Sequence, residues 1–306
     1  MAIHETVLRN EAADALVRDP DGRFVDCTYG RGGHTRAILD RLTSRGRLMV
    51  IDRDLDAVAH AREAYGEDER VVIVHGAFSD IQRFVDEHGM RPLQGVMLDL
   101  GVSSPQLDNA ERGFSFDRDG PLDMRMDRSS GEPASAWLMR AKEKDIARVI
   151  ARYGEEKFAR RIARAIVTTR DTATIETTGQ LVRIVEEAIP VPDKHKHPAT
   201  RTFQGIRIFI NHELEELESA LKAIVDLLEA GGRLVVISFH SLEDRIVKRF
   251  MRDLARGEQL PSRLPIRDVE ITRTLRLIGK PVRPTDVEVS KNRRARSSIM
   301  RVAEKI

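Results

Sequence analysis

FVDCTYGRGGHTRAIL, running from Phe24 to Leu39, is the stretch on which the fold turns. An apolar run ends on Asp26, a turn carries Gly30, Gly32 and Gly33, and a helical pattern follows from Thr35. Glycines at a strand-to-helix turn let the backbone adopt positive φ and approach a ligand with no Cβ in the way. The dinucleotide fingerprint G-x-G-x-x-G needs a third glycine at position 35, where Thr35 stands, so NAD is disfavoured without being excluded. The next apolar run, RLMVID, ends at Asp52, 19 residues beyond Gly33. A carboxylate at that strand end accepts the hydroxyls of a ribose, whether of NAD or of S-adenosylmethionine. The loop favours the latter, whose methionyl tail needs close backbone approach and brings no pyrophosphate to a helix N-terminus. The alternatives for Asp52 are a helix cap or a partner for Arg53 or Arg31.

The same grammar extends outward. Arg23–Cys27, Arg47–Asp52, Val71–His75 and Gly95–Leu100 alternate with helical patterns at Thr35–Leu42, Ala57–Tyr65 and Ile81–His88. Short apolar runs between helices indicate βαβ units and a parallel sheet buried on both faces. The pattern resumes with an amphipathic helix, Glu213–Glu229, ended by Gly231-Gly232, then the run Arg233–Phe239 and a helix from Leu242 to about Leu254. Between them lies a Gly/Asp/Arg-rich loop, Asn109–Gly131, too long for a routine connection. Helical patterns follow it at Ala134–Leu138, Glu143–Tyr153, Glu156–Thr169 and Thr178–Ile189. We expect one α/β domain, residues 1–105 and 205–306, interrupted by an all-helical insertion at 106–204. The tail carries Pro261, Pro265, Pro281 and Pro284, and an extended end at Ser298–Ala303 is expected to close the sheet.

With 306 residues and 41% hydrophobic residues, the chain is large enough for a real core and too apolar for disorder. One cysteine, Cys27, excludes an internal disulfide framework and a cysteine-based zinc cluster, and fits a reducing cytoplasm. No run approaches the roughly 20 apolar residues of a membrane helix, and the first residues lack a secretory pattern. The net charge of +2 hides an asymmetry: 17 Lys+Arg face 9 Asp+Glu from Ser241 onward, against 34 and 40 before it. A basic end on an acidic body is expected of a surface that meets a polyanion, or of a merely solvated one.

Gly95–Leu100 leads into DLGVSSPQLD. In an open parallel sheet the ligand crevice lies beyond the carboxyl strand ends, where Asp99 falls beside the glycine turn. Acceptors on the two N–H groups of an exocyclic amine can localise its lone pair toward a methyl donor, and a strand-end Asp is such an acceptor. The alternative is that Asp99 caps the turn and Ser103/Ser104 start a helix before Pro105.

Four motifs then fall in one order: HETVLRNEA, DCTYGRGGH, MLDLGVSSPQLD with RGFSFDRDGPLDMRM, and SFHSLEDRIVKRF with KNRRARSS. Together, over nearly the whole chain, they resemble the bacterial ribosomal RNA small-subunit methyltransferase H family, also called MraW. The resemblance implies a Rossmann-like class I methyltransferase sheet with an inserted helical domain. It also implies methyl transfer from S-adenosyl-L-methionine to N4 of a cytidine in the decoding region of 16S ribosomal RNA, within the small ribosomal subunit. By the same resemblance the cofactor is held by Gly30, Gly32, Gly33, His34, Asp52, Phe78, Asp99 and Gln106. Phe78 has a second reading as a core residue. The sequence lacks the D/N-P-P-Y/F tetrad of many amino-methyltransferases and reads DLGV, leaving open which group touches the target amine; Asp99 is the catalytic candidate. Other readings are a small-molecule methyltransferase, which the basic tail and large insertion oppose, and a non-catalytic ribosome assembly factor.

SFHS, around Ser238, lacks the G-x-S-x-G of a serine hydrolase elbow. His240 either lines the base pocket or caps the helix from Leu242. Lys194-His195-Lys196-His197 alternates its two histidines with lysines, lacks an obvious acidic or thiol companion for a metal, and reads as a basic loop near RNA. Arg160, Arg161, Arg164 and Arg170 read as the wet face of a helix. Lys291, Arg293, Arg294 and Arg296 place four cations in six residues without an acid, a candidate RNA-backbone contact. Aromatics make up only 5% of the chain, so base-stacking platforms are not evident. Recognition by shape and phosphates, with one cytidine turned out, is the simpler picture. The sequence leaves the oligomeric state open, a homodimer included.

Overall fold

The computed structural model describes residues 6–191, 193, 197–257 and 272–306. They fall into two compact units, a first within Met1–Gly101 and Leu214–Ile306 and a second within Val102–Glu213. The first opens with α1 (Arg9–Leu16), β1 (Arg23–Asp26), α2 (Gly33–Leu39), β2 (Arg47–Asp52), α3 (Leu55–Tyr65), β3 (Val71–His75), α4 (Ile81–Glu87) and β4 (Leu93–Asp99). The second carries α5 (Ser104–Asp108), α6 (Ala134–Arg140), α7 (Glu143–Gly154), α8 (Ala159–Arg170), α9 (Thr178–Ala188) and α10 (Thr200–Ile210). The chain then continues with α11 (Glu213–Leu227), β5 (Leu228–Ser238), α12 (Ser241–Arg256), β6 (Leu275–Leu277), α13 (Asp286–Lys291) and β7 (Ile299–Lys305).

The strands form one sheet in the order β3-β2-β1-β4-β5-β7-β6. β1 to β5 are parallel; β7 runs antiparallel to both β5 and β6. This is an α/β, Rossmann-like doubly wound sheet. Period-two alternation sorts its side chains. Val25, Met49, Ile51, Val96, Leu98 and Val236 pack with α4, α11 and α12 on one face. Phe24, Leu48, Val50, Met97, Val235 and Ile237 pack with α1, α2 and α3 on the other. Burying each such side chain contributes roughly 1.5–3 kcal/mol, which explains why the central strands read as unbroken apolar runs.

Several expectations need correction. β7 is not the sheet's edge, because the three residues of β6 pair beyond it. The helix before β5 ends at Leu227, short of Gly231-Gly232. Those glycines belong to an irregular start of β5, where a Cβ on Gly232 would come within 2.9 Å of Leu93 O. The expected helix Glu156–Thr169 begins only at Ala159, after Glu155 takes φ of 51°. Pro261 and Pro265 lie outside the described residues.

The second unit is wider than 106–204 because α10, absent from the expectation, packs closely on α7. A Cβ added to Gly205 would lie 2.9 Å from Gly154 N, so the two backbones nearly touch. The long loop 109–131 doubles back on itself in the same unit. Arg112 Nη2 donates to the carbonyls of Arg125 and Met126, and Asn211 donates to Met124 O while accepting from Met126 N–H, both at 2.8 Å. Arg170 is a further correction to the wet face of α8: its guanidinium donates to Leu138 O and Ala141 O, at the end of α6.

Candidate functional site

Three adjacent strands end side by side at the carboxyl edge of the sheet: β2 at Asp52, β1 at Asp26 and β4 at Asp99. The winding order reverses between β1 and β4, the place where open α/β sheets form their ligand crevice. These two tips are tied together, since the Asp99 backbone N–H donates to Thr28 Oγ1 over 2.7 Å.

Asp26 is fully buried and accepts from Thr35 Oγ1 at 2.7 Å and from Thr28 N–H at 3.2 Å. Burial raises its carboxyl above the usual carboxylate range. Thr35, the residue that breaks the dinucleotide fingerprint, thus joins α2 to the strand it follows. Gly30 and Gly32 take positive φ, 56° and 74°. Gly30 N–H donates to Asp52 Oδ2 over 2.8 Å, and Asp54 N–H donates to Asp52 Oδ1 over 2.8 Å. Burial pushes the Asp52 carboxyl up to about 6. Each carboxylate oxygen keeps a further lone pair for a hydroxyl donor. Two of the alternatives for Asp52 have other residues in those roles: Asp54 is the N-cap of α3, and Arg53 pairs with Glu216 at 3.1 Å.

At two of the three glycines, the place a Cβ would take is crowded by the chain's own side chains. At Gly33 an added Cβ would overlap the Thr6 hydroxyl, and at Gly32 it would lie 2.8 Å from the Tyr29 ring. Both spaces are filled by the chain itself. His34 is 4% exposed, with neither ring nitrogen hydrogen-bonded; its Nε2 lies 3.4 Å from Asp99 Oδ2. Asp99 Oδ1 is likewise buried without a partner. Buried polar atoms normally find partners, so this group of orphaned atoms at a strand tip fits a bound molecule that supplies them. Hydroxyls toward Asp52 and a charged tail toward Asp99 and His34 make a chemically consistent occupant.

Phe78 opens the 3-10 turn after β3 and is partly buried against the α4 side of the core, consistent with either of its readings. Gln106 is different. It lies in the second unit, and its Oε1 accepts from Ser103 N–H at 2.9 Å in the capping box of α5. His240 is the N-cap of α12, its Nδ1 accepting from Glu243 N–H; of its two readings, the cap is the one seen.

Lys291, Arg293, Arg294 and Arg296 are exposed at the end of α13 and on the 3-10 turn Arg293–Ser297, which the buried Ala295 anchors. Because β7 is antiparallel, Ile299 pairs with Ser238 and this turn precedes it at the carboxyl edge of the sheet. Lys194, His195 and Lys196 lie outside the described residues; His197 stacks on Phe116 with ring centroids 4.7 Å apart. Thr6 and Thr28 were not candidates on sequence. Thr6 lies 27 residues from Gly33, and nothing along the chain signals that contact.

The model of the MraW methylase family matches residues 1–306. A protein of Thioalkalivibrio sulfidiphilus (strain HL-EbGR7) named ribosomal RNA small subunit methyltransferase H is 55% identical over 305 residues, covering 99% of this chain and 97% of its own length. Proteins of the same name from Alteromonas mediterranea and Chromohalobacter salexigens are 53% and 54% identical, each over 99% of this chain. No helix among the described residues is long and apolar enough to cross a membrane.

Proposed function

The chain belongs to the MraW methylase family, which makes it a methyltransferase using S-adenosylmethionine, and we propose that it methylates N4 of a cytidine in the decoding region of 16S ribosomal RNA. The acceptor class, ribosomal RNA, is the one its relatives' names carry. The observation that carries the reading is the tip of β4: Asp99, held by Thr28, keeps a buried, unpartnered Oδ1, while its Oδ2 lies 3.4 Å from Nε2 of the buried His34 ring.

The donor supplies an electrophilic methyl on a sulfonium leaving group. Asp52 accepts the ribose hydroxyls, and the Gly30–Asp52 bond sets the turn at that end. Asp99 has two uses at the crevice, toward the donor's tail and toward the acceptor. As an acceptor of an N–H from the cytosine amine, it turns the nitrogen lone pair toward the methyl group by positioning and electrostatics. Methylation makes that N–H more acidic, so its proton leaves after transfer, at Asp99 Oδ1 or to water, with no strong base required. The basic turn meets RNA phosphates at the same edge.

The test is methyl transfer from labelled donor to small ribosomal subunits lacking the modification, compared with free nucleosides and buffer, followed by mapping of the modified base. Label on N4 of one 16S cytidine supports the reading. Label on nucleosides alone favours a small-molecule enzyme, and donor binding without any transfer favours an assembly factor.

A further inference from the structure

The N-terminal segment has a role that the donor site does not account for. Thr6 lies against Gly33, the first residue of α2, so closely that no Cβ fits between them. Val7 and Leu8 follow, 4% and 1% exposed, in the same core as Tyr29 of the glycine turn and Ala295 of the basic turn. Leu8 takes φ of 49°, a left-handed conformation that is strained for a non-glycine residue and persists only where surroundings impose it. What holds it comes from the far end of the chain: Leu8 N–H donates to Glu288 Oε1 over 2.7 Å, across 280 residues of sequence. Glu288 sits on α13, immediately before the exposed cations Arg293, Arg294 and Arg296.

We propose that Glu288 is a positioning residue of the methyl-donor site: it clasps the strap Thr6–Leu8 onto Gly33 and so holds the glycine turn in its donor-binding form. The inference rests on the reading of that turn as the donor site. Neither Glu288 nor Thr6 needs to touch the donor. Releasing the clasp frees Leu8 to leave its strained conformation, withdraws Thr6 from Gly33, and removes the support of the turn whose Gly30 N–H reaches Asp52.

Calorimetry with S-adenosylhomocysteine on the full chain tests this without requiring catalysis. Glu288→Ala is expected to weaken binding about tenfold or more, as loss of a hydrogen bond to a charged group implies. Its KM for the donor should rise in step, while kcat at saturating donor on small subunits stays within about twofold. Glu288→Gln keeps an acceptor oxygen and should restore most of the affinity. Thr6→Gly should weaken binding in the same direction, and Thr6→Gly combined with Glu288→Ala should do no more than the stronger single variant, because both act through one strap. Affinity of Glu288→Ala within twofold of wild type overturns the proposal, as does a fall in kcat equal to the loss of affinity, or full additivity of the two substitutions. If Glu288→Ala does not fold, Glu288→Gln and Thr6→Gly decide: unchanged affinity in Thr6→Gly rejects the strap. Wild-type protein that binds no S-adenosylhomocysteine instead refutes the donor-site reading itself.

Discussion

Thr35 donates its hydroxyl to the buried carboxylate of Asp26 across 2.7 Å, closing the glycine turn from the helix side onto the strand that precedes it. The bond sits where a dinucleotide-binding turn would carry a third glycine, so this turn trades close helix–strand packing for a polar tie. Thr35→Val keeps the shape and removes the donor, leaving a fully buried carboxyl with one partner fewer. Stability should fall by about 1–3 kcal/mol in urea unfolding, the cost of an unmet buried polar group. Thr35→Ser should lose much less. A Thr35→Val protein as stable as wild type would show that the tie is dispensable.

Gly33 offers a second test of the turn's construction. Gly33→Ala forces a Cβ into the space of the Thr6 hydroxyl. Overpacking of this kind costs typically 1–3 kcal/mol. If Thr6 is the obstacle, Thr6→Gly should recover most of that loss in the double variant. A cycle in which the two substitutions simply add would point to an obstacle other than Thr6.

Asp52 predicts a pH dependence of two opposite signs. Its carboxyl is raised from 3.8 to about 6 in the free folded protein, so the native state binds more protons than the unfolded one across that interval. This group's contribution to stability is therefore most favourable below about pH 4 and declines as the pH rises through about 6. Donor affinity runs the other way, because ribose hydroxyls are better accepted by the ionised form. S-adenosylhomocysteine should bind more tightly as the pH rises from 5 through about 6 and level off about one unit above that. Asp52→Asn should bind weakly and flatten the profile. A profile in wild type as flat as in Asp52→Asn would remove the carboxylate from the site.

Asp99 separates binding from chemistry. If its Oδ1 accepts from the target amine, Asp99→Asn should lower kcat on small subunits by on the order of 100-fold, in the range of lost electrostatic stabilisers at active sites. Its effect on S-adenosylhomocysteine affinity should be smaller than that. Full turnover with weakened donor binding would leave Asp99 as a cofactor ligand alone.

The five parallel strands are legible in the sequence because a strand buried on both faces must read as a short apolar run, and its helices as amphipathic intervals. Where such signals weaken, the reading fails. β6 is only the three residues LRL, two of them exposed, and owes its existence to pairing with β7. α10 has the periodicity of a helix, yet its allegiance to the second unit is settled by the close passage of Gly205 over Gly154, which no local pattern announces. In the site, the order of strand tips is legible and their cross-links are not. Asp99 to Thr28, Thr6 to Gly33 and Leu8 to Glu288 join residues far apart in the chain, and each depends on the fold having already formed. Gln106 shows the converse: a residue expected at the crevice from its place in the sequence, whose side chain is engaged in the capping box of its own helix.

The basic turn makes its prediction through salt. Among the described residues no carboxylate pairs with Lys291, Arg293 or Arg296, although the chain as a whole is rich in acids. Cations left facing water at a sheet edge cost little when free and gain strongly from phosphates, whose condensed counterions they release. Each phosphate contact removed should lower the slope of log affinity against log salt by about 0.7–0.9. Arg293→Ala and Arg296→Ala together should therefore weaken binding to small-subunit RNA most at low salt and flatten the slope by nearly two. S-adenosylhomocysteine affinity should not change, because the turn is anchored by buried Ala295 and not by these side chains. An unaltered slope would assign the arginines to the solvated surface and move the search for RNA contacts to the exposed cations of α12, Lys248 and Arg249, on the other face of the sheet.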